Sequence, residues 1–252
     1  MGLEASNFSQ LIVFIVFCTL VAVLFCSSKI RANSLRRSWG DWLIDLTGLF
    51  IQGILIPAIQ IGIGYFLFTW LMPSWKSRLE VGWAGGFFLN FIVVDYLYYW
   101  NHRLLHRPKL WFAHQVHHNA KQLDVLATSR NTIWSPSLIL YIWINTFFVF
   151  LLRDSRGYIV AAGLTAALDL WRHSNLVTPK ALCWLKLFLI TPEEHAWHHS
   201  QELFGINYGA NFSLWDRWHH TYFSAKESPK QFGVPVRLPI WRKLIFPVSK
   251  GG

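Results

Sequence analysis

The chain has 252 residues, of which 53% are hydrophobic, 17% aromatic and 14% charged. A soluble domain carries about 25% charged residues, so an ordinary soluble globule is excluded, and the high hydrophobicity excludes disorder. The 23 basic residues exceed the 13 acidic ones by ten, an excess that in a membrane protein points to cytoplasmic loops and anionic headgroups; nucleic acid is not expected as a partner.

Phe8 to Ser28 is an uncharged run of 21 residues, long enough to cross a bilayer as a helix. Glu4 is the one charge before it and no Ala-x-Ala site follows, so it reads as a retained span rather than a cleaved signal. Cys18 and Cys26 lie in apolar sequence and Cys183 stands alone, which gives neither a disulfide framework nor a zinc motif. After a basic stretch holding Lys29, Arg31, Arg36 and Arg37, residues 46–72 are uncharged for 27 residues. That is about 40 Å of helix, more than the hydrocarbon core, so a tilt or a kink at Pro57 is expected. Residues 81–100, 133–152 and the shorter 157–171 are the remaining candidate spans, the last short enough to be buried or re-entrant. Residues 182–190 and 238–248 mix aromatic and basic side chains with apolar ones and suit the headgroup level.

With the amino terminus outside, the positive-inside rule puts residues 101–132 and 173–252 on the cytoplasmic side of the bacterial inner membrane or the endoplasmic reticulum. All eleven histidines, which run from His102 to His220, then fall on that side or at its boundary. The expected fold is a single all-α integral-membrane domain over residues 1–252, with four to five transmembrane helices and a cytoplasmic, histidine-rich helical cap holding a di-metal site.

Three clusters carry the chemistry. His102 and His106 form an HxxxH; His114, His117 and His118 form an HxxHH; His195, His198 and His199 form a second HxxHH. Positions i, i+3 and i+4 share a helical face, and imidazole is a neutral nitrogen ligand for iron, zinc, copper or nickel. Eight such ligands are too many for one tetrahedral metal and suit two metals with open positions. Pro108 is placed to open the helix of the second box, and Thr191-Pro192-Glu193-Glu194 reads as a capped helix start directly before His195. His173, at the end of the fifth apolar segment, is a candidate ninth ligand. His219 and His220 lack helical-spaced partners and read as surface residues.

Metal-bound histidines donate their second nitrogen to carboxylates or carbonyls. Asp95, seven residues before His102 on the same helical face, is the leading candidate for that role, and an intramembrane carboxylate is normally paired or functional. Asp169, Glu194, Asn211 and Asp216 are further candidates. Trp100, Trp111, Trp134 and Trp197 lie near the boxes and suit the lining of a lipid channel.

The stretch from Asp95 through His118, with Thr191 to Ser200 and Asn211 to Trp218, resembles the fatty acid hydroxylase superfamily of integral-membrane proteins, which includes sterol desaturases, C-4 methyl sterol oxidases, sphingolipid hydroxylases and alkylglycerol monooxygenase. Its pattern of HxxxH, short gap, HxxHH, long gap and HxxHH is met at all eight positions, and an extra histidine in the long gap, here His173, is familiar. The chain departs from the family at His219-His220-Thr221, where Phe-Gly-Thr is frequent. The resemblance implies a non-haem centre of two iron ions that uses O2 to hydroxylate an unactivated C–H bond of a lipid or other hydrophobic substrate; desaturation by the same centre is the alternative. No nucleotide or flavin motif is present, so the electrons are expected from outside, from a separate redox protein or from a pterin such as tetrahydrobiopterin.

Other readings fare worse on the residues. A zinc peptidase would want the glutamate of HExxH, which every box lacks. A metal transporter or metal-binding protein would place its ligands near the bilayer midplane. A haem subunit would want axial histidines on separate spans.

Overall fold

The computed structural model describes residues 2–133, 143–245 and 247–248. Among these residues the chain is helical, with isolated bridges and no strand.

Two helices are long and apolar enough to cross a membrane, Glu4–Cys26 within the helix Gly2–Cys26, and the 33-residue Trp39–Leu71. Their most apolar stretches are 11% and 17% buried in the chain's own packing. Phe8, Phe14, Ile54, Ile61 and Trp70 stand exposed along them. A core helix of a soluble protein would hide that surface, whereas lipid accepts it. The second helix starts seven residues before the predicted 46, because Ser38 caps it by accepting the Asp41 backbone N–H at 3.2 Å. It continues through Pro57 between two wide π-type stretches, Ile51–Leu55 and Gln60–Tyr65. A proline supplies no N–H and crowds the carbonyl four residues earlier, and wider turns absorb both defects without ending the helix.

The third apolar segment is helical over Gly82–Phe88, π-type over Leu89–Val94 and helical again over Asp95–Leu105, so the element runs on through the first histidine box. Of the predicted 133–152 segment, residues 134–142, with Trp134, lie outside the described residues; Asn145–Leu151 is helical. The short fifth segment is a 17-residue helix, Arg156–Arg172, about 26 Å long. It packs along the first helix, so closely that a Cβ on Gly163 would collide with Ser9 Oγ. Leu170 of this helix joins Leu24, Val125 and Leu126 in a buried cluster.

The rest consists of short elements at the ends of these helices: Trp111–His114, Lys180–Leu187, Pro192–His198, Leu214–Trp218 and Ile240–Ile245. The last of these lies in the predicted amphipathic tail. A buried ionic lattice fastens the loop after the second box to the start of the Trp39–Leu71 helix. Arg37 bridges Asp45 at 2.9 Å and Asp124 at 2.5 Å, while Arg130 bridges Asp45 at 2.6 Å and Asp41 at 2.9 Å. The loop lies so near that a Cβ on Gly48 would collide with the Ser129 carbonyl oxygen. Burying these charges is tolerable because each carboxylate is matched by a guanidinium fork.

Candidate metal centre

Each box uses a helix end. His102 lies in the last turn of Asp95–Leu105, and His106 follows it with its N–H on the His102 carbonyl at 3.2 Å. His195 and His198 lie in Pro192–His198, and His199 ends it. That helix starts as predicted: Thr191 is the N-cap, Pro192 opens the first turn, and Glu194 accepts the Thr191 N–H at 3.3 Å. The second box departs from prediction. Pro108 lies in the turn before the helix rather than opening it; the helix is Trp111–His114, and His117–Asn119 is a separate 3-10 turn. His173 ends the helix Arg156–Arg172.

These ends converge. His102, His106, His114, His118 and His198 form one group, and His117, His173, His195 and His199 form another. Within each group the ligand nitrogens lie within 4.8 Å of one another, so each could hold a metal ion. The division follows from helical spacing. At 100° per residue, i+4 falls about 40° from i and i+3 about 60° the other way. The third box therefore sends His195 and His199 to one group and His198 to the other. The second box, although it breaks into a helix and a 3-10 turn, divides in the same i, i+4 against i+3 manner, giving His114 and His118 to the first group and His117 to the second. An HxxHH motif thus straddles two sites, and two such boxes facing each other cross-link them.

Backbone carbonyls set the tautomers. His102 Nδ1 lies 2.8 Å from the Tyr208 carbonyl, His117 Nδ1 3.1 Å from Arg130, His173 Nδ1 2.8 Å from Asp169 and His198 Nδ1 2.7 Å from Ile206. A carbonyl only accepts, so each Nδ1 carries a proton, and in a neutral ring Nε2 then presents its lone pair inward. In the second group Nε2 of His117 and Nε2 of His173 face each other at 3.3 Å. His173 and His195 Nε2 are 2.9 Å apart, and His195 and His199 Nε2 are 3.1 Å apart. Metal–nitrogen bonds of about 2.0–2.1 Å place neighbouring ligand nitrogens about 2.9–3.4 Å apart, so this spacing suits a shared cation. In the first group the buried Nε2 atoms of His106, His118 and His198 have no hydrogen-bond partner. Burial, reinforced by neighbouring histidines, pushes His117 down to about 3 and holds His114, His118, His195 and His199 well below the usual imidazole range. Burial also brings His198 down to about 4. All six are therefore neutral donors at physiological pH, the form a metal takes.

A cavity of about 40 Å³ touches both groups, through His102 and His114 of the first and His117 and His173 of the second. Gln52, Asn101, Thr128 and Asn131 complete its wall with Tyr98 and Asp169.

A family model for fatty acid hydroxylase matches residues 87–221, more than half of the chain and every histidine in the two groups. The chain belongs to the fatty acid hydroxylase family. Among curated proteins it is similar to the alkylglycerol monooxygenase of Danio rerio, 33% identical over 60% of this chain and 34% of the relative. The Homo sapiens alkylglycerol monooxygenase is 28% identical over 73% of this chain and 39% of its own length. A very-long-chain aldehyde decarbonylase of Arabidopsis thaliana is 29% identical over 72% of this chain and 28% of its own. The chain thus matches between about a quarter and two fifths of the length of these relatives. No solved structure matches it.

Within this member of the fatty acid hydroxylase family, the residues expected to orient the ligands are placed unevenly. Asp169 does touch one: its carbonyl takes His173 Nδ1, and its carboxylate lies 3.4 Å from the same atom while pairing with Arg172 at 2.7 Å. Asp95 does not. Seven helical residues are two turns, about 10 Å, so sharing a face with His102 is not contact. Its carboxylate instead accepts from the Asn211 and Phe212 N–H groups at 2.8 and 3.2 Å and from Trp215 Nε1 at 2.7 Å, holding the 211–215 segment. Asp216 is two steps removed: it accepts the Tyr208 and Gly209 N–H groups at 2.7 Å, and Tyr208 in turn orients His102. Glu194 caps its helix and accepts from Ser224, and Asn211 bonds Thr165 and Arg172. Neither bonds a histidine: Glu194, next to His195 in sequence, points off another face of the helix, and Asn211 is taken up by Thr165 and Arg172.

His219 lies outside both groups, stacked among Tyr96, Tyr99, Trp100 and Trp218 with Nε2 3.1 Å from the Tyr96 hydroxyl; His220 is exposed. Trp111 packs about 5 Å from the rings of His106 and His118, whereas Trp197 is buried against Phe223 and donates to the Glu227 carbonyl. Sequence reasoning had no means of finding the carbonyls of Arg130, Ile206 and Tyr208, since a backbone oxygen has no residue identity.

Proposed function

We propose that this chain is a membrane-bound non-haem di-iron oxygenase that hydroxylates an unactivated C–H bond of a lipid, using O2 and electrons from a separate donor. The observation that carries the reading is the pair of adjacent, all-imidazole groups, five and four strong, within each of which the ligand nitrogens lie within 4.8 Å of one another. His102, His106, His114, His118 and His198 would hold one iron and His117, His173, His195 and His199 the other. Two reduced irons with open positions supply the O2 activation that protein side chains cannot.

The chain's own residues do the rest. Carbonyl-fixed tautomers keep the donors aimed, so binding costs little reorganisation. Burial of the box histidines excludes water, which protects a reactive centre from side reactions. The exposed apolar faces of the two long helices favour substrate entry from the bilayer, with the histidine cap on the cytoplasmic side. Relatives named for alkylglycerol and very-long-chain aldehyde chemistry support a lipid substrate.

The test is metal analysis of protein made with iron supplied, beside His118→Ala, followed by anaerobic reduction and exposure to 18O-labelled O2 with a lipid panel. About two irons per chain, fewer in the variant, and one labelled oxygen in the product are expected. Well-folded protein that takes up no metal would end the reading.

A further inference from the structure

Away from the histidines, the structure has a larger cavity, about 390 Å³, between the start of the Trp39–Leu71 helix, the residues after the second box and the tail. Its charged lining is Lys121, Arg237 and Lys243 against Asp41. Asp41 is already engaged, its carboxylate 2.9 Å from Arg130. Among the described residues no carboxylate lies within 4.0 Å of the three cations. Lys243 donates one of its three protons to Asn119 Oδ1 at 2.8 Å, a neutral partner. The floor is apolar, formed by Ile44 and Val236 with Ile240 at the edge.

The site is built rather than incidental. Asn119 Nδ2 donates to the Val234 carbonyl at 2.7 Å and Val234 N–H to the His118 carbonyl at 2.8 Å, so the tail is sewn to the second box and brings Arg237 and Lys243 to the same hollow as Lys121. Gly233, in the left-handed region at φ +86°, makes the turn and lies against Lys121. A concave site with three cations against one carboxylate on its rim and an apolar floor selects an amphiphile with an anionic head. Its surroundings say where that amphiphile resides. Trp39 is 80% exposed and Trp241 60% exposed on the two elements that bound the cavity. Such tryptophans sit at the headgroup level.

We propose that this cavity binds the phosphate of an anionic phospholipid headgroup, with Lys121, Arg237 and Lys243 as the phosphate-binding groups and Ile44 and Val236 against the glycerol carbons. The volume, near the lower end of the about 300–1,000 Å³ usual for ligand sites, fits a headgroup rather than a whole lipid. This site anchors the cap to the bilayer at the mouth of the spanning helix. It is independent of the metal reading and rests on Trp39–Leu71 lying in the membrane.

The experiment uses the full chain in a non-ionic detergent and follows tryptophan fluorescence and the thermal midpoint during titration with dihexanoylphosphatidylglycerol below its micelle concentration. Parallel titrations use dihexanoylphosphatidylcholine and inorganic phosphate. Saturable binding of the anionic lipid, much weaker response to the zwitterionic one and none to phosphate at equal concentration are expected. Each cation near a headgroup contributes about a fivefold factor, so Lys121→Gln with Arg237→Gln should weaken binding about 25-fold. Lys121→Arg with Arg237→Lys keeps the charge and should keep the affinity, which separates charge from misfolding. Equal affinity for both lipids, or indifference to the charge-removing pair, would overturn the site. Inorganic phosphate that binds as tightly, with the same dependence on these residues, would overturn the lipid assignment and leave a free-phosphate site.

Discussion

The two histidine groups are built from the same parts yet differ in redundancy. The five-membered group takes both histidines of HxxxH, the i and i+4 pair of the second box and the i+3 residue of the third. The four-membered group takes one i and i+4 pair, one i+3 residue and His173, which comes from no box. In the first, losing one imidazole leaves four; in the second it leaves three. The four-membered group also has a carboxylate at its edge, Asp169, 3.4 Å from His173 Nδ1. The comparison teaches that the boxes alone complete one site, while the second depends on a helix end that the box pattern does not contain.

The largest effect should come from breaking the smaller group. His199→Ala is expected to lower bound metal from about two to about one per chain and to cut lipid oxidation by more than about 100-fold, beyond the cost of an outer-shell change. Elemental analysis with a turnover assay reads both. His106→Ala should be milder at the level of metal: the larger group keeps four nitrogens, so about two metals remain, with affinity at that site reduced about 10- to 100-fold in a chelator competition. If both variants lose the same metal, the groups are not separate sites. Asp169→Asn comes next. The Asp169 carbonyl still fixes the His173 tautomer, so the loss of charge should weaken the smaller group about tenfold and leave the larger one unchanged, seen as one shifted phase in the same competition.

Much of this could be read from the residues before any geometry. Spacing brought out the eight box histidines, His173 stood out by its place at the end of the fifth apolar segment, and the signals at Thr191, Pro192 and Glu194 marked a helix start that the structure has. The assignment of each histidine to a group was implicit in the angles of i+3 and i+4, but the second box hid it by breaking into a helix and a 3-10 turn. What was illegible has two causes. Orientation of His102, His117 and His198 rests on backbone carbonyls, which any residue supplies. The lattice of Arg37, Asp45, Asp124 and Arg130 joins positions some 80 to 90 residues apart in the chain, and local periodicity carries no information at that range. Asp95 failed for a third reason: helical phase was treated as proximity, although rise along the axis separates residues that share a face.

The smallest expected effect is a near-absence of pH dependence in metal uptake by the folded, metal-free protein. An exposed histidine site titrates near 6.5 and loses affinity as it protonates. Here burial holds His117 at about 3 and His198 at about 4, so members of both groups are already neutral at pH 8 and still neutral at pH 6. Affinity should change by less than about twofold across that interval, measured by competition with a chelator whose own titration is corrected. Stability behaves differently. The unfolded chain takes up protons on these histidines near 6.5 while the fold refuses them, so folding free energy is full above that pH and is lost progressively as pH falls from about 6.5 toward about 3. Chemical denaturation of the metal-free protein at pH 7.5 and 5 should show that loss. A metal affinity that drops steeply between pH 8 and 6 would mean that the inward nitrogens meet water, and with it the two groups would lose the dryness that sets them apart from surface histidines.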